Sequence, residues 1–209
     1  MNTRIRVAFA VALSSCAVAL AAVPAAEANV LSLLPGSCSG ETFTQPFAQF
    51  GDDNNYVLVP GGDFEAGGIP WGTTGGAGRV GGNESFNVTA ADDSSSLSLP
   101  AGSSATSMAV CANIYKPTLR FFARNTGSSS SRLNIDVYYP GLLGGLQKAR
   151  VGTIGGGANW SPTGVTQLTV QNLLATLSLS RTVIAFRFSP ADSAGHWTID
   201  DVYVDPHMR

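Results

Sequence analysis

Arginine, aromatic and amide side chains recur at two-residue spacing in three segments of this 209-residue chain. Arg120, Phe122 and Arg124 alternate with Leu119, Phe121 and Ala123. Asn134, Asp136 and Tyr138 alternate with Leu133, Ile135, Val137 and Tyr139, and Arg187 stands between Phe186 and Phe188. Period-two alternation puts each polar set on one face of a strand. Such a face suits a glycan. Rings supply stacking area, while guanidinium, amide and carboxylate groups orient hydroxyls. It equally suits a solvated sheet whose Arg–Asp cross-strand pairs each contribute little. Trp160, in the loop Gly155-Gly156-Gly157-Ala158-Asn159-Trp160-Ser161-Pro162, either stacks on a ligand or covers the end of the fold.

Catalytic constellations are poor. The two histidines are His196 and His207, and no Gly-x-Ser-x-Gly elbow, His-Glu-x-x-His pair or phosphate loop occurs. The glycine-rich run 72–82 leads into a strand pattern, so it offers no helix N-terminus to a phosphate. Carboxylate pairs for glycoside hydrolysis need a spatial separation that sequence spacing does not give. The expectation is binding without catalysis, with a small hydrolase as a distant alternative. A net charge of −2 with no basic stripe argues against a nucleic-acid partner.

The elements that must position these residues are short strands. Tyr56–Val59 is a first strand, stopped by Pro60-Gly61-Gly62. Alternating segments follow at 84–89, 95–99, 107–112, 117–124, 132–139, 146–154, 164–170, 182–188 and 197–204. Only 171–179 has helical spacing, enough for a turn packed on the sheets. This pattern predicts an all-β fold, a two-sheet antiparallel β-sandwich of the jelly-roll kind. The sandwich is expected over 56–209, preceded by an arm over 29–55 without clear period.

Residues 1–28 read as a secretory signal. Arg4 and Arg6 precede an apolar run from Val7 to Val23, and Ala26-Glu27-Ala28 places small residues for cleavage before Asn29. The run falls short of the roughly 20 residues of a membrane span, and Pro24 follows it. Leu13-Ser14-Ser15-Cys16 offers a lipoprotein alternative, although the apolar run continues past Cys16. Cleavage leaves a secreted product of 181 residues without a transmembrane segment; Arg4, Arg6 and Glu27 depart, so its net charge is −3. Cys38 and Cys111 remain and are expected to pair, since exported cysteines usually do. Closing so long a loop contributes up to about 4 kcal/mol in the chain-entropy model. The alternative is a reactive thiol.

Two motifs bracket the alternating segments. Gly61-Gly62-Asp63-Phe64-Glu65 with Trp71 opens them, and Trp197-Thr198-Ile199-Asp200-Asp201-Val202 closes them. This arrangement resembles the galactose-binding-like jelly roll of bacterial carbohydrate-binding modules of families 4, 9 and 22. It also resembles small secreted actinobacterial proteins without assigned activity. The resemblance covers roughly 55–205 and implies that the first and last strands meet. It implies a polysaccharide or glycan partner, with Trp71 and Trp197 in the core. A structural or protein-interaction sandwich without a sugar site is the alternative. The resemblance further implies a structural calcium ion on Glu65 and Asp201, completed by carbonyls near Gly62 or Asp63. Six to eight oxygens suit that ion. Strict alternation would turn Asp200 and Asp201 to opposite faces, leaving one of them for such a site.

Overall fold

Apolar side chains at every second position draw most of these segments into strands. The computed structural model describes residues 41–65, 71–112, 117–141, 145–168 and 182–205. The signal region, Cys38, the 171–179 segment and His207 lie outside the described residues.

Two antiparallel sheets pack face to face. The first contains β1 (Phe43–Thr44), β2 (Tyr56–Leu58), β4 (Gly78–Gly81), β5 (Ser95–Pro100), β8 (Thr118–Asn125), β11 (Ser161–Pro162), β12 (Thr166–Gln167) and β14 (His196–Asp205). The second contains β3 (Gly72–Thr74), β6 (Ser104–Thr106), β7 (Val110–Ala112), β9 (Leu133–Pro140), β10 (Leu146–Ile154) and β13 (Thr182–Pro190). In the second sheet the order is β10-β9-β13, and β6 and β7 pair with different halves of β13.

Between the sheets lies the main core. Leu119, Phe121 and Ala123 of β8 meet Leu133, Ile135, Val137 and Tyr139 of β9, with Phe186 and Phe188 of β13. The two framing tryptophans sit in it, as expected. Trp71 stacks on Phe188 with centroids 5.8 Å apart and donates its indole N–H to the Pro60 carbonyl at 3.0 Å. Trp197 is fully buried. A buried indole is well placed when its one donor finds an acceptor, and both do.

The segment expected to be the first strand, β2, does meet the last, β14. β14 is the central strand of its sheet. β8 runs along one side of it, while β5 and β2 share the other. Where β5 gives way to β2, the pairing with β8 slips between Asp200 and Tyr203, and Asp201 takes a left-handed φ of 49°. This is a β-bulge, an extra residue that kinks a strand and re-aims a side chain. Val202 bonds across to the turn after β2: its N–H donates to the Gly62 carbonyl at 3.0 Å, and its carbonyl accepts from Val59 N–H at 2.9 Å. Gly62 is required there, because a Cβ would stand 2.8 Å from the Val59 oxygen and 2.9 Å from the Val202 oxygen.

A second apolar cluster covers the outer face of the first sheet. Phe47, Tyr56, Phe122 and Tyr203 are buried there, with Phe50, Val88 and Trp160 packed against them. The described part of the arm supplies Phe47 and the 3-10 turn Ala48–Phe50. The loop 84–89 supplies Val88. That loop was expected to be a strand with Phe86 and Val88 on one face, and it is not one. The buried Glu84 carboxylate gathers the loop's own amides, accepting from Phe86 at 2.5 Å and Val88 at 3.0 Å. Asn87 turns with φ 49°. Local side-chain bonding has replaced a sheet ladder.

Candidate functional site

At the β14 bulge stand Asp200 and Asp201, with Glu84, Asp93 and Asp63 near enough to act on Asp201 through their charge. Strict alternation fails here. The inward set is Trp197, Ile199, Val202 and Val204, a phase change of one residue at Asp201. Both aspartates are therefore drawn into one seam, and both are completely buried. Asp200 accepts from the amides of Glu84 and Asp201, each at 3.0 Å. Asp201 Oδ1 accepts the Thr89 hydroxyl at 2.5 Å, so the Tyr203 hydroxyl donates to Thr89 at 2.7 Å. Asp201 Oδ2 is buried with no hydrogen-bond partner.

Burial first, then the neighbouring Asp201 charge, pushes the Asp200 carboxyl up to about 9. Burial, with Glu84, Asp93 and Asp63 nearby, pushes Asp201 up to about 7 against the opposing Thr89 bond. Desolvation and like charges both favour the neutral acid. Raised carboxyl groups can mark proton chemistry. Here both groups are buried.

Glu65, expected beside Asp201 as a cation ligand, is committed elsewhere. Its Oε1 accepts the Ser94 and Ser95 amides at 2.7 and 2.6 Å. Its Oε2 accepts the Ser94 hydroxyl at 3.3 Å and faces Arg79 at 3.6 Å. Asp63 Oδ1 lies 3.5 Å from the Glu65 amide. Among the described residues, no three acidic, histidine or cysteine side chains converge as a metal-binding group. What fits a hard cation is the all-oxygen character of the seam and the one uncommitted oxygen of Asp201. A calcium ion here would be held by Asp201, with Asp63 and backbone carbonyls completing the shell.

The polar face proposed for a glycan is divided in two. β8 belongs to the first sheet, while β9 and β13 belong to the second. Arg120, Phe122 and Arg124 therefore lie on one outer surface, and Asn134, Asp136, Tyr138 and Arg187 on the opposite one. The first group is structural where it is buried. Phe122 is 0 % exposed and stacks on Phe47 at 5.5 Å. Arg120 donates to Asp52 at 2.6 Å and to the Thr163 carbonyl at 2.8 Å, with its guanidinium 4.5 Å from the Phe47 ring centroid. Arg124 lies over Trp160 at 4.7 Å, so Trp160 joins this side.

On the second sheet a row runs across the strands. Arg150 of β10 is in register with Asp136 of β9, which is in register with Arg187 of β13, followed by Thr106 of β6. Asp136 pairs with Arg150. Arg187 donates to Ser104 Oγ at 3.2 Å. Tyr138 is only 4 % exposed, packed with Ala185 and Leu146, and offers no open ring face. Asn134 is half-buried and accepts from Thr153 at 3.3 Å. Sequence reasoning missed Glu84, Lys148 and Arg150. The register signal for the two cations was present, since they stand two apart on the edge strand beside β9.

A pocket of about 290 Å³ opens beside β8, between the loop after β10 and the segment from Ser161 to Gly164. Its lining is glycine, alanine, isoleucine, proline, serine and threonine. No ionisable side chain lines it, so it carries no acid–base chemistry. The His196 ring is exposed and meets Ser98 Oγ at 3.3 Å. Cys111 is buried on β7; Cys38 lies outside the described residues. Among the described residues, no helix is long and apolar enough to cross a membrane.

No protein-family model matches the chain, and no curated protein does. Solved structures do. One is the tandem family 22 carbohydrate-binding domain pair of Paenibacillus barcinonensis Xyn10C, at TM-score 0.50 and 13% identity over 75% of this chain and 46% of that one. A second is the C-terminal family 22 carbohydrate-binding module of Clostridium thermocellum Xyn10B, at 0.48 and 18% over 74% and 96%. A third comprises the N-terminal family 22 and catalytic modules of that xylanase, complexed with xylohexaose, at 0.46 and 11% over 65% of this chain and 26% of that one. At these identities the likeness is one of fold. The chain has the jelly-roll fold of bacterial carbohydrate-binding modules.

Proposed function

We propose that this protein binds polysaccharide without turning it over, and that the outer face of the second sheet is its binding surface. The observation that carries this reading is the asymmetry between the two outer faces. The first sheet is sealed by Phe47, Phe50, Phe122 and Tyr203. The second presents polar side chains across β10, β9, β13 and β6, with Arg150 and Lys148 exposed and Arg187, Asn134 and Thr106 half-exposed. Fixed donors and acceptors on rigid strands can order the hydroxyls of an extended chain. Tyr138 acts there as a buried support.

Affinity electrophoresis in gels containing soluble polysaccharides tests it. Retention by at least one polymer, lost in an Asn134→Ala/Arg187→Ala variant and kept in Trp160→Ala, is expected. Retention lost only in Trp160→Ala would move the site to the first sheet. Silence across the panel would favour a structural or protein-interaction role.

Three further features belong to the same reading. The product is exported, with residues 1–28 removed before the 29–209 segment folds. Cys111 pairs with Cys38, the other cysteine of the mature chain. A calcium ion at Asp201 braces the junction of β2 and β14 and takes no part in ligand binding. The orphan Asp201 oxygen supports that assignment.

A further inference from the structure

We infer that the second-sheet face selects acidic polysaccharides, those carrying carboxylates along the chain, over neutral ones. The inference rests on the polysaccharide reading above and adds the charge of the ligand.

The two sheets balance their charges differently. The protein is net negative, at −2. On the first sheet cations are matched by acids: Arg79 faces Glu65 and Arg120 pairs with Asp52. Among the described residues of its strands, the outer face of the second sheet carries three cations, Lys148, Arg150 and Arg187, around one acid, Asp136. That acid is 5 % exposed and stands in register with both arginines. Among the described residues its ion pair is with Arg150. Arg187 turns instead to Ser104 Oγ, and Lys148 lies 6.0 Å from the Tyr138 ring centroid; neither meets a carboxylate among the described residues.

The face is thus left with two uncompensated positive charges. Arg187 and Lys148 are carried by strands two apart in the sheet, about 10 Å between the strand axes. That span lies along the direction in which an extended chain would cross the strands. An evenly charged surface would have paired Arg187 with its register neighbour. Here the neighbour is taken, so the guanidinium keeps the fork geometry that binds a carboxylate bidentately. Neutral sugars would gain nothing from the excess charge.

Affinity electrophoresis of the intact protein on three matched polymer pairs tests the inference. The pairs are carboxymethylcellulose with hydroxyethylcellulose, polygalacturonate with its methyl ester, and glucuronoxylan with its carboxyl-reduced form. At least one charged member is expected to bind about fivefold to tenfold tighter than its neutral partner, as two exposed ion pairs allow. That preference should fall away in about 0.5 M salt. It should shrink towards parity in Lys148→Gln and persist in Lys148→Arg. Equal retention of both members of every pair overturns the charge inference and leaves the polysaccharide reading standing. Retention of none overturns that reading as well. Equal retention of polyglutamate overturns selectivity for sugars in favour of a general polyanion surface.

Discussion

Asp201→Asn is the most informative single perturbation, because it separates the electrostatics of the β14 bulge from its backbone. Asparagine tolerates the left-handed φ of 49° and keeps an acceptor for Thr89. The sign of the effect follows from proton affinity. The Asp201 carboxyl is ordinary, near 3.8, in the unfolded chain and about 7 in the folded one. Between those values the folded protein holds a proton that the unfolded chain has released. Stability is therefore greatest below about 4 for this group and falls as pH rises towards about 7. Each tenfold difference in proton affinity corresponds to about 1.4 kcal/mol, so ionising Asp201 in place costs on the order of 4 kcal/mol. For a domain of this size that is about 10 °C in Tm. In chelator, the part of that penalty that falls between pH 5 and pH 8.5, about two pH units or on the order of 3 kcal/mol, should be lost by the parent. The variant should lose markedly less, and should be the more stable protein at pH 8.5. Asp200, raised to about 9 by burial first and then by the Asp201 charge, adds a further slope in the parent that the variant should reduce. Thermal melts by circular dichroism across this range decide it. A flat parent profile, or a variant less stable than the parent at pH 8.5 in chelator, would refute the reasoning. Added millimolar calcium should raise the parent's Tm at pH 8.5 and leave the variant's unchanged, since only a native-state ligand stabilises.

The remaining predictions probe the frame around that seam. Gly62→Ala should destabilise by about 3 kcal/mol in urea unfolding, because its Cβ would press on the Val59 and Val202 oxygens at 2.8 and 2.9 Å; an unchanged midpoint would mean that the two chain ends are not clamped there. Phe122→Ala should cost about 3–5 kcal/mol, as expected of a buried ring and not of a ligand contact. Asp52→Asn should cost about 3 kcal/mol by leaving the buried Arg120 unpaired, as chemical denaturation will report. Bonds from Tyr56, Asn54 and Arg120 outweigh the upward push of burial and hold the Asp52 carboxyl below its usual range. Its contribution is thus present at neutral pH and lost as pH falls through that lowered value.

Strand existence was legible where apolar residues alternate over eight or more positions. β8, β9, β10, β13 and β14 appear within one or two residues of the segments read from the sequence. Over so many residues only one phase buries a continuous face. The 84–89 segment misled because its alternation is an accident of Phe86 and Val88 packing down onto Phe122 from a loop. The competing signal was Glu84 itself, a carboxylate followed at two and four residues by amides it can cap. The 107–112 segment divided because Ser107 bonds both to the Phe186 backbone and to Met108, interrupting the ladder between β6 and β7.

Site composition was less legible than strand composition, for a reason that lies in topology. Alternation assigns a side chain to one face of its own strand and says nothing about which sheet the strand joins. β8 and β9 are consecutive, joined by a short serine-rich turn, and a hairpin reading sets their polar faces side by side. The structure sends them to opposite sheets, so the same alternation turns Arg120 and Asp136 away from each other. One clue lay in the sequence of β14. Its apolar spacing runs Trp197, Ile199, then Val202 and Val204, a step of three among steps of two. A step of three in a strand buried on one face requires an extra residue, and an extra residue next to paired aspartates re-aims one of them. The bulge is the price of closing the sandwich: β14 must change partners from β5 to β2 within its length, and the residue released from alternation there is Asp201. The same event that joins the chain ends therefore buries a carboxylate with one oxygen unpartnered, and the fold and its most perturbed group share a single cause.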